Sequence, residues 1–269
     1  MPAKTGYMLG ASQYEIERLT FQAEVWRTMT EGLLDKLGVG KGWSCLDVGA
    51  GIGTVALPLA ERVGAEGQVT AIEASPLYAA TLRDEAARKN FDNVTVWEGD
   101  LRKYPARKGA FDLIFSRWVF SFLPDVEKCL KHLVPCLKKG GYLAIEDYHH
   151  LGCAYYPTRP SFDAVIEGAR EWYLKTGGNY RIAGELPALY HKLGLRDVEV
   201  VPHMRVGGPA SGLWKWSELF FLGHLPAMIG QGVVSVELAR RFKRDLEAVK
   251  KVPGALFVVP TIFDVIGRK

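Results

Sequence analysis

The sequence predicts a doubly wound α/β fold, in which a mostly parallel sheet of seven strands is covered by helices on both faces. Two observations indicate this class. Buried strand patterns alternate with helical patterns from residue 43 to 147, and helical crossovers of this kind connect parallel strands. A glycine-rich turn also follows the first predicted strand and opens the first helix of the alternation, which is typical of ligand-binding strand–helix turns.

Apolar runs and the breakers between them define the elements of the alternating region. Strands are predicted at Trp43–Val48, Gln68–Ile72, Val94–Trp97, Phe111–Phe115 and Tyr142–Glu146. Helices are predicted between them at Gly53–Val63, Pro76–Lys89 and Asp125–Leu137. The run Lys138-Lys139-Gly140-Gly141 is the stop signal of the last helix.

Helical patterns flank this region on both sides. The N-terminal one, Ser12–Leu37, carries an apolar stripe that includes Leu19, Trp26 and Leu33 at spacings of three and four. After residue 150, helices are predicted at Arg159–Leu174, Ile182–Leu193, Gly212–Leu222 and Ser235–Val249, and strands at Val198–Val201 and Ala255–Phe263. We expect a single domain over residues 1–269, with a helical lid at 1–40, a ligand-binding core at 41–150, and a helical substrate cover at 151–253 with closing strands to 269.

The composition indicates a globular protein that buries a core, with 48% hydrophobic and 24% charged residues. The formal net charge of +4 is small and no basic stripe is present, so no nucleic-acid partner is expected. The four cysteines lack metal-site spacing, which predicts buried free thiols and no metal. We find no secretory pattern and no apolar run of membrane-spanning length in this sequence, so we expect a cytoplasmic protein.

The turn after the first strand reads Asp47-Val48-Gly49-Ala50-Gly51-Ile52-Gly53. Glycine lacks a Cβ, so backbone N–H groups can approach a ligand closely. Alone, such a turn is weak evidence, because any nucleotide binder or tight turn can use it. Asp47 makes it more specific, since a carboxylate here repels a pyrophosphate and favours a cationic ammonium or sulfonium.

Two more carboxylates end the next two predicted strands. Glu73 lies about 20 residues past the loop, where Rossmann-type folds hold ribose hydroxyls. Asp100 can accept a hydrogen bond from an adenine amino group while Leu101 or Trp97 packs on the ring. Taken singly, each carboxylate is better explained as a helix N-cap or a solvated loop residue. Together, at the ends of successive strands, they indicate one crevice for an adenosyl ligand.

The ordered segments LDVGAGIGTVALPLA, VTAIEAS, VWEGDL, FDLIFSRWVFSFLPD and LKKGGYLAIEDY resemble the motif set of class I S-adenosylmethionine (SAM)-dependent methyltransferases. The likeness is closest to the ubiquinone/menaquinone-biosynthesis and small-molecule branch, and it covers about residues 43 to 150, which makes residues 41–150 the SAM-binding core. It implies cofactor contacts from Asp47, Gly49 and Gly51 to the methionine moiety, from Glu73 to the ribose and from Asp100 to the adenine. The rest of the predicted cofactor site comprises Ala50, Gly53, Ala74, Leu101, Ser116 and Arg117, the last two lining the methyl-transfer pocket.

The acceptor in this interpretation is a small molecule, and whether oxygen, nitrogen or carbon attacks is left open. Enzymes that methylate exocyclic or amide nitrogens carry Asn/Asp-Pro-Pro-Tyr at the position where this chain has Ser116-Arg117-Trp118-Val119. This departure counts against exocyclic and amide nitrogens as acceptors. The C-terminal half is rich in aromatic residues, whose main predicted role is packing of the cover helices and whose alternative role is to wall a cavity for a flat or apolar acceptor. They are Trp172, Tyr173, Trp214, Trp216, Phe220 and Phe221.

A catalytic base is needed only if the acceptor loses a proton. The candidates cluster at the end of the fifth strand, at Glu146, Asp147, Tyr148, His149 and His150. The two histidines are the ones named as a possible base, although ordinary hydrogen bonding in a surface loop explains them equally well.

The N-terminal helix has two interpretations. Arg18 and Gln22 share the face of its apolar stripe, so the helix can close over the cofactor or acceptor, with Gln22 in the cofactor site and Tyr7 capping the pocket. Alternatively, Arg18 pairs with Glu15 or Glu24 at the surface.

Two other functions are kept as alternatives. An NAD(P)-dependent oxidoreductase would share the glycine turn, but Asp47 and the spacing GxGxG in place of GxGxxG argue against it. A non-catalytic SAM-binding protein would keep the fold, but the intact Asp47, Glu73 and Asp100 weaken that idea. The oligomeric state is not predicted.

Overall fold

The computed structural model describes residues 12–269. Its strands are β1 Ser44–Val48, β2 Gln68–Glu73, β3 Val94–Glu98, β4 Phe111–Arg117, β5 Leu137–His149, β6 Ala154–Tyr156, β7 Arg196–His203, β8 Val206–Gly207, β9 Leu256–Val258 and β10 Thr261–Arg268. Its α-helices are α1 Gln13–Lys36, α2 Ala56–Val63, α3 Pro76–Arg88, α4 Val126–Leu133, α5 Pro160–Lys175, α6 Ile182–Lys192, α7 Gly212–Gly230 and α8 Val236–Val249. Short 3₁₀ helices lie at Leu101–Lys103, Phe120–Phe122 and Val134–Cys136.

Seven strands form one sheet in the order β3-β2-β1-β4-β5-β10-β7. Strands β1 to β5 pair in parallel, and β10 runs antiparallel to both β5 and β7. The predicted doubly wound, mostly parallel sheet is therefore confirmed. Because β1 lies between β2 and β4, the strand order reverses there, and the crevice beyond the carboxyl ends of such strands is the usual ligand site of open α/β sheets.

The helix predicted at Asp125–Leu137 is too long. Its α-helical part ends at Leu133, and Val134–Cys136 continues as a 3₁₀ turn, because Pro135 has no N–H to donate. Leu137 already belongs to β5, which extends to His149, three residues past the predicted end of that strand. The helix predicted from Gly53 begins only at Ala56, since residues 51–55 form turns.

The single strand predicted at Ala255–Phe263 is wrong. Leu256–Val258 is β9, the central strand of a separate sheet ordered β6-β9-β8, whereas Thr261–Arg268 is β10 of the main sheet. Pro260 lies between the two strands and cannot donate to a ladder, so the chain leaves one sheet and enters the other there. The strands of the small sheet, two or three residues long, are too short for a pattern to predict them.

Helix α1 changes character along its length. The Ser12 side chain caps its first turn by accepting from the Glu15 N–H. Its C-terminal half buries the predicted apolar stripe, with Trp26 and Leu33 in the core, whereas its N-terminal half buries the polar residues Glu15, Arg18 and Gln22. A helix that buries polar groups at one end needs partners for them there, which the site geometry supplies.

Apolar residues form three clusters. One lies between the sheet and α1, α2 and α3, and a second lies on the opposite face under α4 and α6. The third lies among α5, α7, α8 and the small sheet, so the cover helices share a core of their own. The four cysteines are buried and free, as predicted. The helices of residues 12–269 include none that is long and apolar enough to cross a membrane.

Candidate functional site

The glycine loop between β1 and α2 exposes backbone at the carboxyl end of the sheet. Gly49, Gly51 and Gly53 have φ angles of +70°, +57° and +90°, a backbone conformation in which a residue with a side chain is strained. A Cβ on Gly49 would lie 2.3 Å from Val119 Cγ2, whereas a Cβ on Gly51 would meet no atom within 4 Å. The loop is therefore packed beneath Gly49 and open at Gly51, where a ligand can approach the backbone. Ala50 donates its N–H to the Ile72 carbonyl at 2.9 Å, which fixes the loop against β2.

Glu73, the last residue of β2, lies directly beside this loop. Its Oε2 accepts from the Gly51 N–H and its Oε1 accepts from the Ser75 N–H, both at 2.7 Å. The Ala74 N–H also favours its charged form, but burial outweighs these donors and raises the pKa of Glu73. Carboxylate oxygens each accept more than one hydrogen bond, so Glu73 keeps acceptor capacity toward a ligand.

Asp47 is a buried carboxyl with an incomplete set of partners. It is 1% exposed, and its Oδ2 has no hydrogen-bond partner among residues 12–269. The pKa of Asp47 is raised to about 7, mainly by burial and also by the negative charge of Glu73, although the Arg117 charge and the Ala56 N–H lower it. The charges of Glu73 and Arg117 therefore both act on the Asp47 carboxyl, and its Oδ2 has no donor among residues 12–269.

Asp100 follows β3, whose neighbour in the sheet is β2. It accepts from the Arg102 N–H at 2.9 Å, caps the 3₁₀ helix, and forms a salt bridge with the Arg102 guanidinium that lowers its pKa. The N-cap interpretation thus describes Asp100 in this structure, and 33% of its side chain is exposed. Leu101 is buried in the core beside this turn.

Ser116 and Arg117 end β4 and point to opposite faces of the sheet. Ser116 is buried and donates to the Val48 carbonyl at 2.9 Å, a contact that ties β4 to β1. Arg117 donates to the hydroxyls of Thr30 on α1 and Thr54 in the glycine loop, both at 2.8 Å. Sequence reasoning gave neither threonine a role, although Thr54 lies in the glycine-loop motif, because their meeting at Arg117 depends on how α1 packs.

The polar end of α1 docks on α7. Gln22 Oε1 accepts from Trp216 Nε1 at 2.8 Å and from Arg18 at 3.0 Å. Arg18 pairs with Glu15 as predicted, but the pair is buried, with side chains 2% and 4% exposed, so the surface location was wrong. Glu15, Arg18 and Glu73 all affect the pKa of Tyr78 in α3, which places the buried pair near the carboxyl end of β2. Tyr7 lies outside the described residues.

The two adjacent histidines face different surroundings, since His149 is the last residue of β5 and His150 lies just beyond it. His149 stacks on Phe263 of β10 with ring centroids 5.3 Å apart, and burial and Arg181 lower its pKa. His150 is 4% exposed and lies beside Tyr148 and Tyr173, with ring centroids 5.2 and 5.3 Å away. Burial lowers the pKa of His150 to about 3, so its imidazole is neutral at physiological pH.

His150 lines a small aromatic cavity between β5, α5 and α7. The other lining residues are Tyr148, Cys153, Tyr173, Trp216, Ser217, Phe220, Phe221, Phe257 and Pro260. Its volume of about 20 Å³ holds about one water. Four of the predicted cover aromatics, Trp172, Trp214, Trp216 and Phe221, are packed in the third core cluster and Phe220 lies against it, as their main predicted role requires, whereas the buried Tyr173 stacks on Phe122. The aromatic cavity joins the site through Tyr148, which stacks on Trp118 with centroids 5.5 Å apart.

Trp118 follows Arg117 at the end of β4 with a φ of +56°, which is rare for a bulky residue. Its N–H donates to the Glu146 carbonyl at 2.8 Å, and the Arg117 guanidinium lies 4.9 Å above its ring. Strained residues of this kind concentrate at functional sites. No sequence pattern indicated it.

A parallel sheet with one reversed strand, and a glycine loop flanked by carboxylates at its carboxyl edge, define a class I SAM-dependent methyltransferase. Comparison with known families agrees, because residues 45–141 match the family model described as a methyltransferase domain. The chain belongs to this class and uses SAM as its cofactor, which removes the oxidoreductase alternative.

Curated relatives are also methyltransferases, and a solved structure shares the fold. Methyltransferase GfsG from Streptomyces halstedii is 30% identical over 194 residues, a match that spans 70% of this chain and 66% of that protein. Demethylmenaquinone methyltransferase from Lactococcus lactis is 26% identical over 204 residues, spanning 68% of this chain and 76% of that protein. The YcgJ protein from Bacillus subtilis shares the fold with a TM-score of 0.60 at 16% identity, over 88% of this chain and 97% of that one.

Proposed function

We propose that this chain transfers the methyl group of SAM to a small apolar or aromatic acceptor. The cofactor would lie across the carboxyl ends of β1, β2 and β3, with the acceptor beside β4 and β5. One observation carries the cofactor assignment: the buried Asp47 Oδ2 has no donor within the part of the chain described, beside an open Gly51 backbone. An unsatisfied buried acceptor is costly, and the ammonium of the methionine moiety would satisfy it.

The other residues of the edge fit the rest of the cofactor. Glu73 would accept from the ribose hydroxyls, and Asp100 from the adenine amino group. The Gly49, Ala50 and Gly53 backbone shapes the loop, Ala74 follows Glu73, and Leu101 supports the adenine end. Ser116 holds β4 against β1, and Arg117 lies between the loop and α1.

SAM supplies a methyl group activated by its sulfonium. The chain has to align the acceptor with that group and exclude water, and alignment alone can contribute about 7–11 kcal/mol. The buried aromatic wall from Trp118 to Tyr148 suits both tasks, since it is apolar and rigid. Gln22 would act through its contact with Trp216, by holding α1 over the cleft.

We propose the aromatic cavity as the acceptor site and His150 as its polar contact. The neutral His150 imidazole has an Nδ1 without a partner among the described residues, and so it can bind and orient an acceptor hydroxyl. Its low pKa makes it a weak base, which favours an acceptor that is already acidic, such as a phenol or an enol. Because the cavity is small, lining side chains have to move to admit the acceptor. His149 lies on the Phe263 side, away from this cavity.

Calorimetry with S-adenosylhomocysteine tests the cofactor site. Wild-type protein should bind in the micromolar range, and Gly51→Val should weaken binding by at least 100-fold, because the new side chain fills the open approach to the backbone. Gly109→Val is the matched control: Gly109 also has a positive φ, +63°, and open surroundings, but it lies in a distant loop. Equal binding by both variants would contradict the assignment.

The activity itself is tested with SAM and a panel of phenolic, enolic and amine metabolites. Methylated product from a phenol or enol supports the proposal, and loss of turnover in His150→Ala with unchanged cofactor affinity supports the acceptor site. Binding of the cofactor without any product over the panel would favour a non-catalytic SAM-binding protein.

A further inference from the structure

A row of charged side chains crosses the sheet beneath α1. Arg117 of β4 is paired in register with Glu146 of β5, and Glu146 is paired in register with Asp264 of β10. Asp264 Oδ2 lies 2.6 Å from His203 Nε2 of β7. At the other end, Arg117 reaches Thr54 of the glycine loop. The row therefore extends from the outermost strand to the proposed cofactor site.

The two carboxyls in the middle of the row, those of Glu146 and Asp264, are not expected to carry a full negative charge each. Glu146 is fully buried and Asp264 is 3% exposed. Residues directly opposite each other on antiparallel strands have Cβ atoms about 4.5–5.5 Å apart. Each carboxyl has one oxygen, Glu146 Oε1 and Asp264 Oδ1, without a hydrogen-bond partner within residues 12–269. A single proton held between facing carboxyls would satisfy both oxygens and remove one charge.

The remaining oxygens of the pair connect it to α1 and to Arg117. Glu146 Oε2 accepts from the Thr30 hydroxyl at 2.7 Å, and Arg117 donates to the same hydroxyl oxygen. The guanidinium thus connects to the carboxyl pair through Thr30 on one side and bonds to the Thr54 hydroxyl on the other. A second full negative charge on the pair would draw the guanidinium away from Thr54 and loosen the glycine loop.

We propose that Glu146 and Asp264 are positioning residues that share one proton and thereby hold Arg117 against the glycine loop, so that loss of the proton weakens cofactor binding. This inference rests on the proposed cofactor site. Neither carboxyl touches the cofactor; both act through Thr30 and Arg117.

The pair has a route to solvent. His203 and Asp264 line a groove of about 390 Å³ between α1 and β7, so protons can exchange there without entry of solvent at the cofactor. Burial raises the pKa of both carboxyls, that of Glu146 to about 8. The charged and titratable groups that face the row are Lys36 on α1, Asp47 on β1, Arg117 on β4, Tyr148 on β5, and His203 and Arg205 at the end of β7.

The test is calorimetry of S-adenosylhomocysteine between pH 6 and pH 9.5 on the full chain. The ratio of the wild-type Kd to the Glu146→Gln Kd should rise by about tenfold from pH 7 to pH 9, the limit for binding linked to one proton with a pKa near 8, because Asp47 titrates in both proteins. Glu146→Gln keeps an acceptor for Thr30 and a donor for Asp264 without a titrating proton, so its Kd should change less than threefold over that range. Asp264→Asn should behave in the same way.

Asp147→Asn is the matched control, because Asp147 is an equally buried carboxyl on the opposite face of β5, bonded to the Ser121 and Tyr148 N–H groups. It should keep the wild-type rise in Kd. The ligand's own ammonium titrates equally with every protein, so only the difference between proteins counts. If Glu146→Gln does not fold, Asp264→Asn decides. A soluble variant of either carboxyl with the wild-type pH profile overturns the inference, whereas a wild type that binds at no pH overturns the proposed function instead.

Discussion

At the glycine loop the backbone itself forms the binding surface, whereas the cover beneath α5, α7 and α8 is filled with side chains. The loop presents left-handed glycines, open space at Gly51 and the buried Asp47 Oδ2, which has no hydrogen-bond partner among residues 12–269. The cover presents a dense set of rings, with Tyr155 within 6.3 Å of five other aromatic centroids and a cavity of about 20 Å³.

The difference separates two sources of specificity. A ligand at the loop is recognised by hydrogen-bond donors and acceptors whose positions follow from local backbone geometry. A short sequence motif is therefore enough to encode the cofactor site. A ligand at the cover is recognised by the shape that packed side chains leave, which changes with each substitution. The sequence of this chain therefore predicts the cofactor but not the acceptor.

The largest expected effect tests whether the two regions are separable. Phe242 of α8 is fully buried against Tyr155, Phe162 and Phe221. Phe242→Ala should lower the free energy of unfolding by about 3–5 kcal/mol, through lost burial and the cavity left behind. Phe242→Leu, the control, should cost much less. Chemical denaturation measures the stability, and S-adenosylhomocysteine affinity of the folded variant should stay within twofold; a larger loss would show that the cover and the loop are coupled.

Asp47→Asn sharpens the account of the loop. The amide keeps the size of the carboxyl but cannot offer a charge to the ligand ammonium, so affinity for S-adenosylhomocysteine should fall by about 10- to 100-fold, or roughly 1.4–2.8 kcal/mol. Stability should be retained, because a buried acid with an unpaired oxygen is removed. In the wild type, affinity should rise with pH up to about 7, as Asp47 ionises, and this rise should be absent in the variant. An unchanged affinity would remove Asp47 from the site.

Local chemistry explains which parts of the fold and site the sequence predicts. Glycines, caps and the apolar runs of β1 to β5 are local signals, and they predicted the sheet, the loop and the meeting of Asp47 with Glu73. The division into lid, core and cover stays a prediction. The failures are non-local: Pro260 separates β9 from β10, and their partners lie about 50 to 120 residues away in the chain.

The end of β5 separates the two histidines. The apolar run of β5 ends near Glu146, so the strand was predicted to stop there and His149 and His150 were placed together in a loop. The structure extends β5 to His149, which sends this side chain to Phe263 and leaves His150 with Tyr173. The carboxyl pair of Glu146 and Asp264 was equally hidden, since only the register of β5 with β10 brings the two residues together.

A further test, of pH dependence, concerns the buried histidine of the cover. Burial lowers the pKa of His150 from 6.5 to about 3 in the folded chain. The unfolded chain therefore binds a proton that the folded chain does not, and the stability that His150 contributes above pH 6.5 is lost as the pH falls toward 3, at about 1.4 kcal/mol per pH unit. His150→Gln should reduce the slope of unfolding free energy against pH in this window, while the exposed His191→Gln should not. Identical slopes for all three proteins would place His150 in a solvated setting.

The smallest expected effect lies at the edge of the loop region, where the comparison with the cover is least sharp. Asp100 is one-third exposed and already paired with Arg102, so a ligand gains only a share of its hydrogen-bonding capacity. Asp100→Ala should weaken S-adenosylhomocysteine binding by about threefold to tenfold, or ~1 kcal/mol. Asp92→Ala, in the turn before β3, is the control and should have no effect on affinity. Because the proposed contact is with the adenine amino group, the inosine analogue of S-adenosylhomocysteine, which lacks that group, should bind the wild type and Asp100→Ala alike. A loss of affinity in Asp100→Ala that persists with the inosine analogue would assign the effect to the cap of the 3₁₀ helix and not to adenine recognition.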